Sequence, residues 1–286
     1  MELQTLIERY ARPDMHTRIP GLLLSRVTGT GPEYSLTDPM LVVMARGGKR
    51  LLLGDRVYEY RSGEYLIVTT GVPVSGHFFD TPALGVALTL RPASIAPLLL
   101  SAPPPARPPV AQSALATGPA GPALLDAVTR LAGLLDEPRD AEVLAPLYER
   151  EILWRLLTGP HGGSLRQIAL ADSNLAHVNR AIGWLRANFA EPMRVDDLAR
   201  LAGMSTSAFH RHFRDVTAMS PLQFQKRLRL QEARSLLLAR PDDVAGVGHL
   251  VGYDSPSQFS REYRRLFGRP PGQDAVRLRA SEPSFP

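Results

Sequence analysis

Cysteine is absent from the 286 residues. That excludes disulfides, thiolate metal sites and cysteine nucleophiles, and it suits a reducing cytosol. Lysine is scarce too: Lys49 and Lys226 are the whole set. With abundant alanine, proline and glycine, this reads as the coding bias of a GC-rich genome. No apolar run reaches the ~18 residues that a membrane span needs. The opening M-E-L-Q-T-L-I-E-R is acidic and amphipathic. It lacks a basic segment followed by an apolar core, so no secretion signal is expected. A cytoplasmic protein without membrane contact is the expectation.

Catalytic and metal signatures are missing as well. A metal-holding β-barrel of the cupin type needs an H-x-H pair with a later carboxylate and histidine. The β-rich region offers only His77, with His16 well before it. His210 and His212 fall on a helix, where i and i+2 do not face the same way. The glycines at 29, 31, 47 and 48 match neither a phosphate-binding loop nor a dinucleotide fingerprint. No serine elbow or triad is visible. The pairs Asp196-Asp197 and Asp242-Asp243 sit at helix starts, where they complement the helix dipole. No cofactor, metal or enzymatic activity is expected.

Charge is present but unevenly divided. Residues 173–286 hold 17 Arg+Lys against 11 Asp+Glu, a net of +6, whereas residues 1–172 carry −1. A basic C-terminal third on a near-neutral body points to one part for a polyanion and another part for something else.

The basic part contains a repeat. V-D-D-L-A-R-L-A-G-M-S-T-S-A-F-H-R-H-F starts at Val195, and V-A-G-V-G-H-L-V-G-Y-D-S-P-S-Q-F-S-R-E-Y starts at Val244. Val195, Leu198 and Gly203 match Val244, Val247 and Gly252 at an offset of 49; Ser205, Phe209, Arg211 and Phe213 match Ser255, Phe259, Arg261 and Tyr263 at 50. Each copy reads as a short helix, a glycine turn and a second helix: a helix-turn-helix. The turn glycines supply the left-handed residue a sharp helix end needs. Ser205 and Ser255 can cap the second helices, with Pro256 at the first helical position and Gln258 where a capping box wants it. Phe209, Phe213 and Val216 share one face, as do Phe259, Tyr263 and Leu266. The opposite faces hold Thr206, Ser207, His210, Arg211 and Arg214, then Ser257, Gln258, Ser260, Arg261, Arg264 and Arg265. Short polar residues at a helix start, with arginines behind, suit base edges in a major groove and the flanking phosphates.

These residues carry a resemblance to the C-terminal domain of AraC/XylS-family transcriptional regulators, over roughly residues 174 to 277. L-A-x-x-A-G-M-S from Leu198, F-H-R-H-F from Phe209, S-P-L-Q-F-Q-K-x-x-R-L from Ser220, E-A-R-x-L-L from Glu232 and G-Y-D-S-P-S-Q-F-S-R-E-Y-R-R-L-F-G from Gly252 match it, followed by Pro270 and Pro271. Gly246 and Gly248 depart from it, and glycine costs a helix about 1 kcal/mol against alanine. A soft first helix in the second copy is expected. Without cysteine, the chain cannot be an alkyl-transfer repair enzyme with this kind of DNA-binding domain.

Upstream, residues 20–91 read as short strands: Gly21–Thr28, Met40–Arg46, Lys49–Leu53, Val57–Arg61, Glu64–Thr70 and Leu84–Arg91. Gly47-Gly48, Gly54-Asp55 and Ser62-Gly63 read as turns between them. An antiparallel sandwich or small barrel follows. G-G-K-R-x-x-L-G-D from Gly47, E-Y-L-I-V from Glu64 and P-V-S-G from Pro73 resemble the cupin-type N-terminal domain of one AraC subgroup. Residues 101–122 are too rich in Pro, Ala and Gly for a regular element. Helices are expected at Leu124–Leu135 and Ala141–Leu157. Leu124, Val128, Leu131 and Leu135 fall on one face of the first. Leu144, Leu147, Ile152 and Leu156 fall broadly together on the second. In the resembling family such helices pack on the barrel and pair two chains. Gly159-Pro160 and Gly162-Gly163 are the expected hinge. Leu165–Leu170 reads as a short amphipathic piece and Asn174–Phe189 as a helix, with Val178, Ile182 and Leu185 inward. Ser220-Pro221 with Gln223 opens a helix to about Ala239. Its 19 residues span about 28 Å, near the ~34 Å between successive groove faces on one side of DNA. The tail after Val276 reads as disordered.

The expected fold is α+β multidomain: a cupin-like antiparallel β-barrel with accessory helices, then an all-α domain with two helix-turn-helix motifs. Residues 1–160 are the expected effector and dimerisation domain, with the barrel at 20–91 and helices at 124–157. Residues 165–279 are the expected DNA-binding domain, with the motifs at 195–216 and 244–267. The expected function is a sequence-specific transcription regulator that binds two successive major grooves per chain. Its expected partners are promoter DNA, a second copy of the chain, RNA polymerase if it activates, and a small-molecule effector. Tyr34, Arg46, Tyr58, Tyr60, His77 and Phe78 could line an effector pocket, with Arg46, Tyr58, Tyr60 and His77 the chosen four. The subgroup resemblance suggests a small organic molecule, such as a reactive carbonyl compound. The alternatives are a cupin-type enzyme with a DNA-binding appendage and a DNA binder without an effector.

Overall fold

The structure is a computed structural model that describes residues 2–103 and 113–281, without the side chains of 280 and 281. The chain divides into two compact units: Met1–Val178 with Asp215–Ala218, and Asn179–Arg214 with Met219–Pro286.

The first unit opens with helix α1 (Leu3–Tyr10), whose Leu6 and Ile7 are fully buried. Seven strands follow: β1 (Leu22–Val27), β2 (Glu33–Leu36), β3 (Met40–Leu53), β4 (Arg56–Arg61), β5 (Glu64–Val68), β6 (Pro73–Thr89) and β7 (Leu115–Pro119). Helix α2 (Pro92–Leu99) lies between β6 and β7. All pairings are antiparallel, and the main path runs β1-β6-β3-β5-β7, with β2 on β6 and β4 on β3. No ladder joins β1 to β7 among the described residues.

Two sequence expectations change here. Gly47-Gly48 is not a hairpin turn. β3 runs straight through it, and the register against β6 shifts between Met44, Arg46 and Gly48. Gly47 takes φ +78°, and a Cβ there would lie 2.6 Å from the Asp80 carbonyl. Gly47 thus serves an irregularity in a long strand, a second use of positive φ. Second, Leu115–Pro119 is a strand, paired with β5 from Leu115↔Val68 to Pro119↔Glu64. As an edge strand it tolerates its terminal proline. Positions 104–112 of the Pro-rich stretch lie outside the described residues. The Gly54-Asp55 turn does join a hairpin, with Leu53 opposite Arg56.

Helices α3 (Pro122–Gly133), α4 (Pro138–Thr158) and α5 (Gly162–Ala169) complete the unit. Leu124, Val128, Leu131, Ile152, Leu156 and Leu165 join Leu22, Leu41, Val86 and Leu88 in one core. Leu147 does not share the buried face of α4; it is 56% exposed, with Val143 at 69%. The expected hinge glycines open α5 instead. Gly162 is buried there, where a Cβ would lie 2.0 Å from the Leu157 carbonyl.

Further helices follow, and most of their residues make up the second unit: α6 (Asn174–Ala187), α7 (Val195–Leu201), α8 (Thr206–Thr217), α9 (Pro221–Ala239), α10 (Val244–Leu250), α11 (Pro256–Phe267) and α12 (Pro271–Ser281). Residues 277–281, expected to be disordered, are the last turns of α12; 282–286 lie outside the described residues. Phe209, Phe213 and Phe224 are fully buried, with ring centroids 5.3 and 5.4 Å apart. Phe259 and Tyr263 are fully buried in the second copy. There Phe267 takes the third inward place and Leu266 is only half-buried. Ser220 and Gln223 form the reciprocal capping box that opens α9.

Gly246 and Gly248 sit where a side chain would crowd its neighbours. The Gly246 amide donates to its cap, Asp243, at 2.9 Å, and a Cβ at 246 would lie 2.2 Å from that carboxylate. A Cβ at 248 would lie 3.0 Å from the Phe259 ring. The helix gives up propensity for close packing under α11.

Candidate nucleic-acid interface

The two second helices, α8 and α11, each run twelve residues. Each buries an aromatic face and turns the other outward. Ser207, Arg211 and Arg214 follow one another at i, i+4 and i+7 on α8, and all are exposed. Ser257, Arg261 and Arg264 do the same on α11, each at an offset of 50. His210 is exposed, and its counterpart Ser260 is half-buried. Among the described residues, no hydrogen bond or ion pair engages the guanidinium of Arg211, Arg214, Arg261, Arg264 or Arg265. Five cations are therefore available to an outside partner.

Two of the expected base readers are engaged within the chain. Thr206 donates to Asp196 at 2.9 Å. Gln258 does not close a capping box on Ser255. Its backbone amide donates to the Ser255 hydroxyl at 3.3 Å, while its side chain donates to Glu262 at 3.2 Å. Glu262 collects further donors, Lys226 at 2.8 Å and the Tyr253 hydroxyl at 2.8 Å. Burial raises the Glu262 carboxyl, but these three donors outweigh it and hold the group below the usual carboxylate range. Ser205 caps α8 weakly, accepting from the Ala208 amide at 3.4 Å.

A buried polar knot, which sequence reasoning missed, sits under α11. Asp274, 1% exposed, accepts from Arg234 at 2.9 Å and from the Tyr263 hydroxyl at 2.9 Å. The Arg234 guanidinium also stacks 5.0 Å from the Phe267 ring. α12 and α9 are thereby tied to the buried side of α11. A tyrosine at a core position of α11 was the one available signal.

The proposed effector residues are not gathered in one place. On the sheet, Lys49 pairs with Tyr60 on β4 and with Phe78 on β6. Tyr58 and Tyr60 share that face, Tyr60 packed in the core and Tyr58 bonded to Ser113 at 2.6 Å. Tyr34 is half-buried on β2. His77 is opposite Arg50, on the other face. Arg46 is exposed in the irregular part of β3. A cavity of about 350 Å³ opens elsewhere in this unit, lined by Ile19, Leu88, Leu131 and Ala145 with Arg91 and Glu149 among its polar members. Arg91 donates to both Glu149 oxygens, at 2.7 and 2.9 Å. Among the described residues, no three of His, Asp and Glu cluster as metal ligands do, and no helix is long and apolar enough to cross a membrane.

Comparison with known proteins agrees with this division. Residues 18–164 match the family described as AraC-type transcriptional regulator N-terminus, and residues 198–275 match a helix-turn-helix domain. The HTH-type transcriptional activator RhaS of Salmonella schwarzengrund is 30% identical over 159 residues, which are 54% of this chain and 56% of that protein. The chain thus spans about half the length of the curated relatives it matches. Among solved structures, apo ToxT of Vibrio cholerae superposes with a TM-score of 0.57 at 9% identity, over 90% of this chain and 97% of that one. ToxT with an unsaturated fatty acid bound superposes at 0.53, also at 9% identity, over 92% and 97%. The likeness to ToxT is one of fold: an antiparallel sheet unit followed by a helical unit.

Proposed function

The chain belongs to the AraC-type transcriptional regulators, and from that premise we propose that it reads two boxes of promoter DNA with α8 and α11. The observation that carries this is the matched pair of exposed rows, Ser207–Arg211–Arg214 and Ser257–Arg261–Arg264, over buried aromatic faces. Arg211 and Arg261 take the base-reading role, each by a bidentate bond to guanine, with the serines and His210 and Ser260 beside them. Arg214, Arg264 and Arg265 serve the phosphates, which position but do not specify. The chain acts by binding, with no catalysis of its own.

The same reading gives the first unit two tasks. One is pairing with a second copy through the outer face of α4, where Val143 and Leu147 stand one turn apart and exposed, with half-buried Trp154 further along. The other is effector control. The cavity beside Arg91 supports it, since apolar walls with a few convergent polar groups are the usual make-up of a small-molecule site. An effector need only bind one arrangement of the chain better than another. If the protein activates, RNA polymerase is a further partner.

Anisotropy titrations on a site selected from random DNA test the DNA reading. Arg211→Ala and Arg261→Ala should each cost about 1–3 kcal/mol of discrimination and relax different parts of the site. Removing Arg214, Arg264 or Arg265 should weaken all sequences alike and lower the salt slope by about one unit each. Selectivity that survives the double change Arg211→Ala/Arg261→Ala would refute the assignment.

A further inference from the structure

Among the described residues, the five arginines on the outer faces of α8 and α11 are unengaged; Arg229 is the opposite case. It lies midway along α9, the helix between the two motifs, and its donors go to backbone carbonyls. Nε donates to Phe189 at 2.7 Å, and Nη2 to Ala190 at 3.0 Å and Glu191 at 3.3 Å. Nη1 donates to Gly252 at 2.7 Å. One turn earlier, the Gln225 amide donates to Phe189 at 3.0 Å and to Glu191 at 2.7 Å.

Three separate segments meet at this point. Residues 189–191 follow α6 and lead into α7, the entry to the first motif. Gly252 is the turn glycine of the second motif, and α9 is the rod between them. Carbonyls just past a helix end lack intrahelical donors and lie at the negative end of the dipole, so a cation is favoured there. A planar guanidinium can serve several carbonyls at fixed angles; a lysine ammonium is a point charge without that fork.

Gly252 supplies independent support. Its φ of +89° explains a glycine in the turn, but a second requirement applies. A Cβ there would lie 2.3 Å from the Ala190 carbonyl and 2.9 Å from the Arg229 Cζ. The second turn is therefore pressed against the segment that enters the first motif, with the guanidinium beside the contact.

We propose that Arg229 is a positioning residue that fixes the separation and angle of α8 and α11, and so sets the base-pair spacing between the two boxes. The inference rests on the reading that both helices contact DNA. α9 alone is a rod, but a rod does not fix the motifs packed at its two ends. The junction does, by joining the entry of one to the turn of the other. Without it the second box is engaged by a looser partner, and the gain from joint binding falls.

The test uses the full-length protein and three DNAs: the selected site, that site with one base pair added between the boxes, and that site with the second box scrambled. Arg229→Gln should bind the selected site about tenfold to a hundredfold more weakly than wild type. It should match wild type on the scrambled site, and it should penalise the added base pair less. Arg229→Lys should fall between the two, and Gly252→Ala, which strikes the same junction from the other side, should also flatten the spacing preference. If Arg229→Gln is unfolded by circular dichroism, the ratio of native to lengthened spacing in Arg229→Lys and Gly252→Ala decides. A wild-type spacing preference in the folded variants overturns the proposal. So does an equal loss on the selected and scrambled sites, which would make Arg229 a fold residue only. A wild type that pays nothing for a scrambled box would instead remove the two-box reading itself.

Discussion

The Thr206 hydroxyl donates to the Asp196 carboxylate at 2.9 Å, joining the first turn of α8 to the first turn of α7. The bond engages the Thr206 proton and braces the helix that carries Ser207 and Arg211, which favours a brace over a base reader. Thr206→Val keeps the shape and removes the donor. The melting midpoint should fall by the equivalent of about 0.5–1.5 kcal/mol. Base preference, measured by selection from random DNA, should not change. A changed preference at any position would return Thr206 to the reading surface.

Leu131 and Leu147, both leucines of the accessory helices, should respond differently to charge. Leu147 is 56% exposed and Leu131 is 1% exposed. Leu147→Glu should give a folded monomer in sedimentation, with weakened binding to paired sites. Leu131→Glu places a carboxylate in the core and should unfold the first unit. A wild-type protein that sediments as a monomer at micromolar concentration would count against pairing through α4.

The cavity beside Arg91 makes a prediction about effector response. Ala145→Phe adds a ring to its wall and should abolish the response while DNA affinity stays. The double change Tyr58→Phe/His77→Ala should leave the response intact, because those side chains lie on opposite faces of the sheet. Reporter assays with the responsive compound read both. The opposite pattern would place the effector on the sheet.

Glu262 links the reader helix to acidity. Despite its burial, donors from Lys226, Tyr253 and Gln258 hold its carboxyl below the usual value of 4.5. A lowered carboxyl stabilises the fold above the unfolded value, and that contribution is lost as pH falls through the folded one. Thermal melts should therefore show an acid-side loss below about pH 5 that flattens in Glu262→Gln. An unchanged acid limb would mean that other carboxylates govern it.

The helix-turn-helix repeat was legible because its evidence is local. Phe209, Phe213, Phe259 and Tyr263 recur at helical spacing, and the outward residues follow from the inward ones. The Arg229 junction was not, since its partners are backbone carbonyls 23 to 40 positions away, and a carbonyl has no letter in the sequence. Strands fared between these cases. Alternation put Tyr58 and Tyr60 on one face, but the side of His77 depends on the register of β6 against β3, which no local pattern contains. Gly47-Gly48 misled because glycine marks positive φ, and both a turn and a strand irregularity use it. Leu115–Pro119 was masked by the proline and alanine around it, although five residues on a sheet edge need little propensity of their own.

The two outward rows match at their arginines but differ around them. α8 has Thr206 and His210 where α11 has Pro256 and Ser260. One chain therefore presents an unlike head and tail. A palindrome looks the same from either end, but a tandem of unlike boxes does not. If both rows read DNA as proposed, a single molecule of this protein lies on its site in one orientation only, pointing toward one neighbouring gene and away from the other.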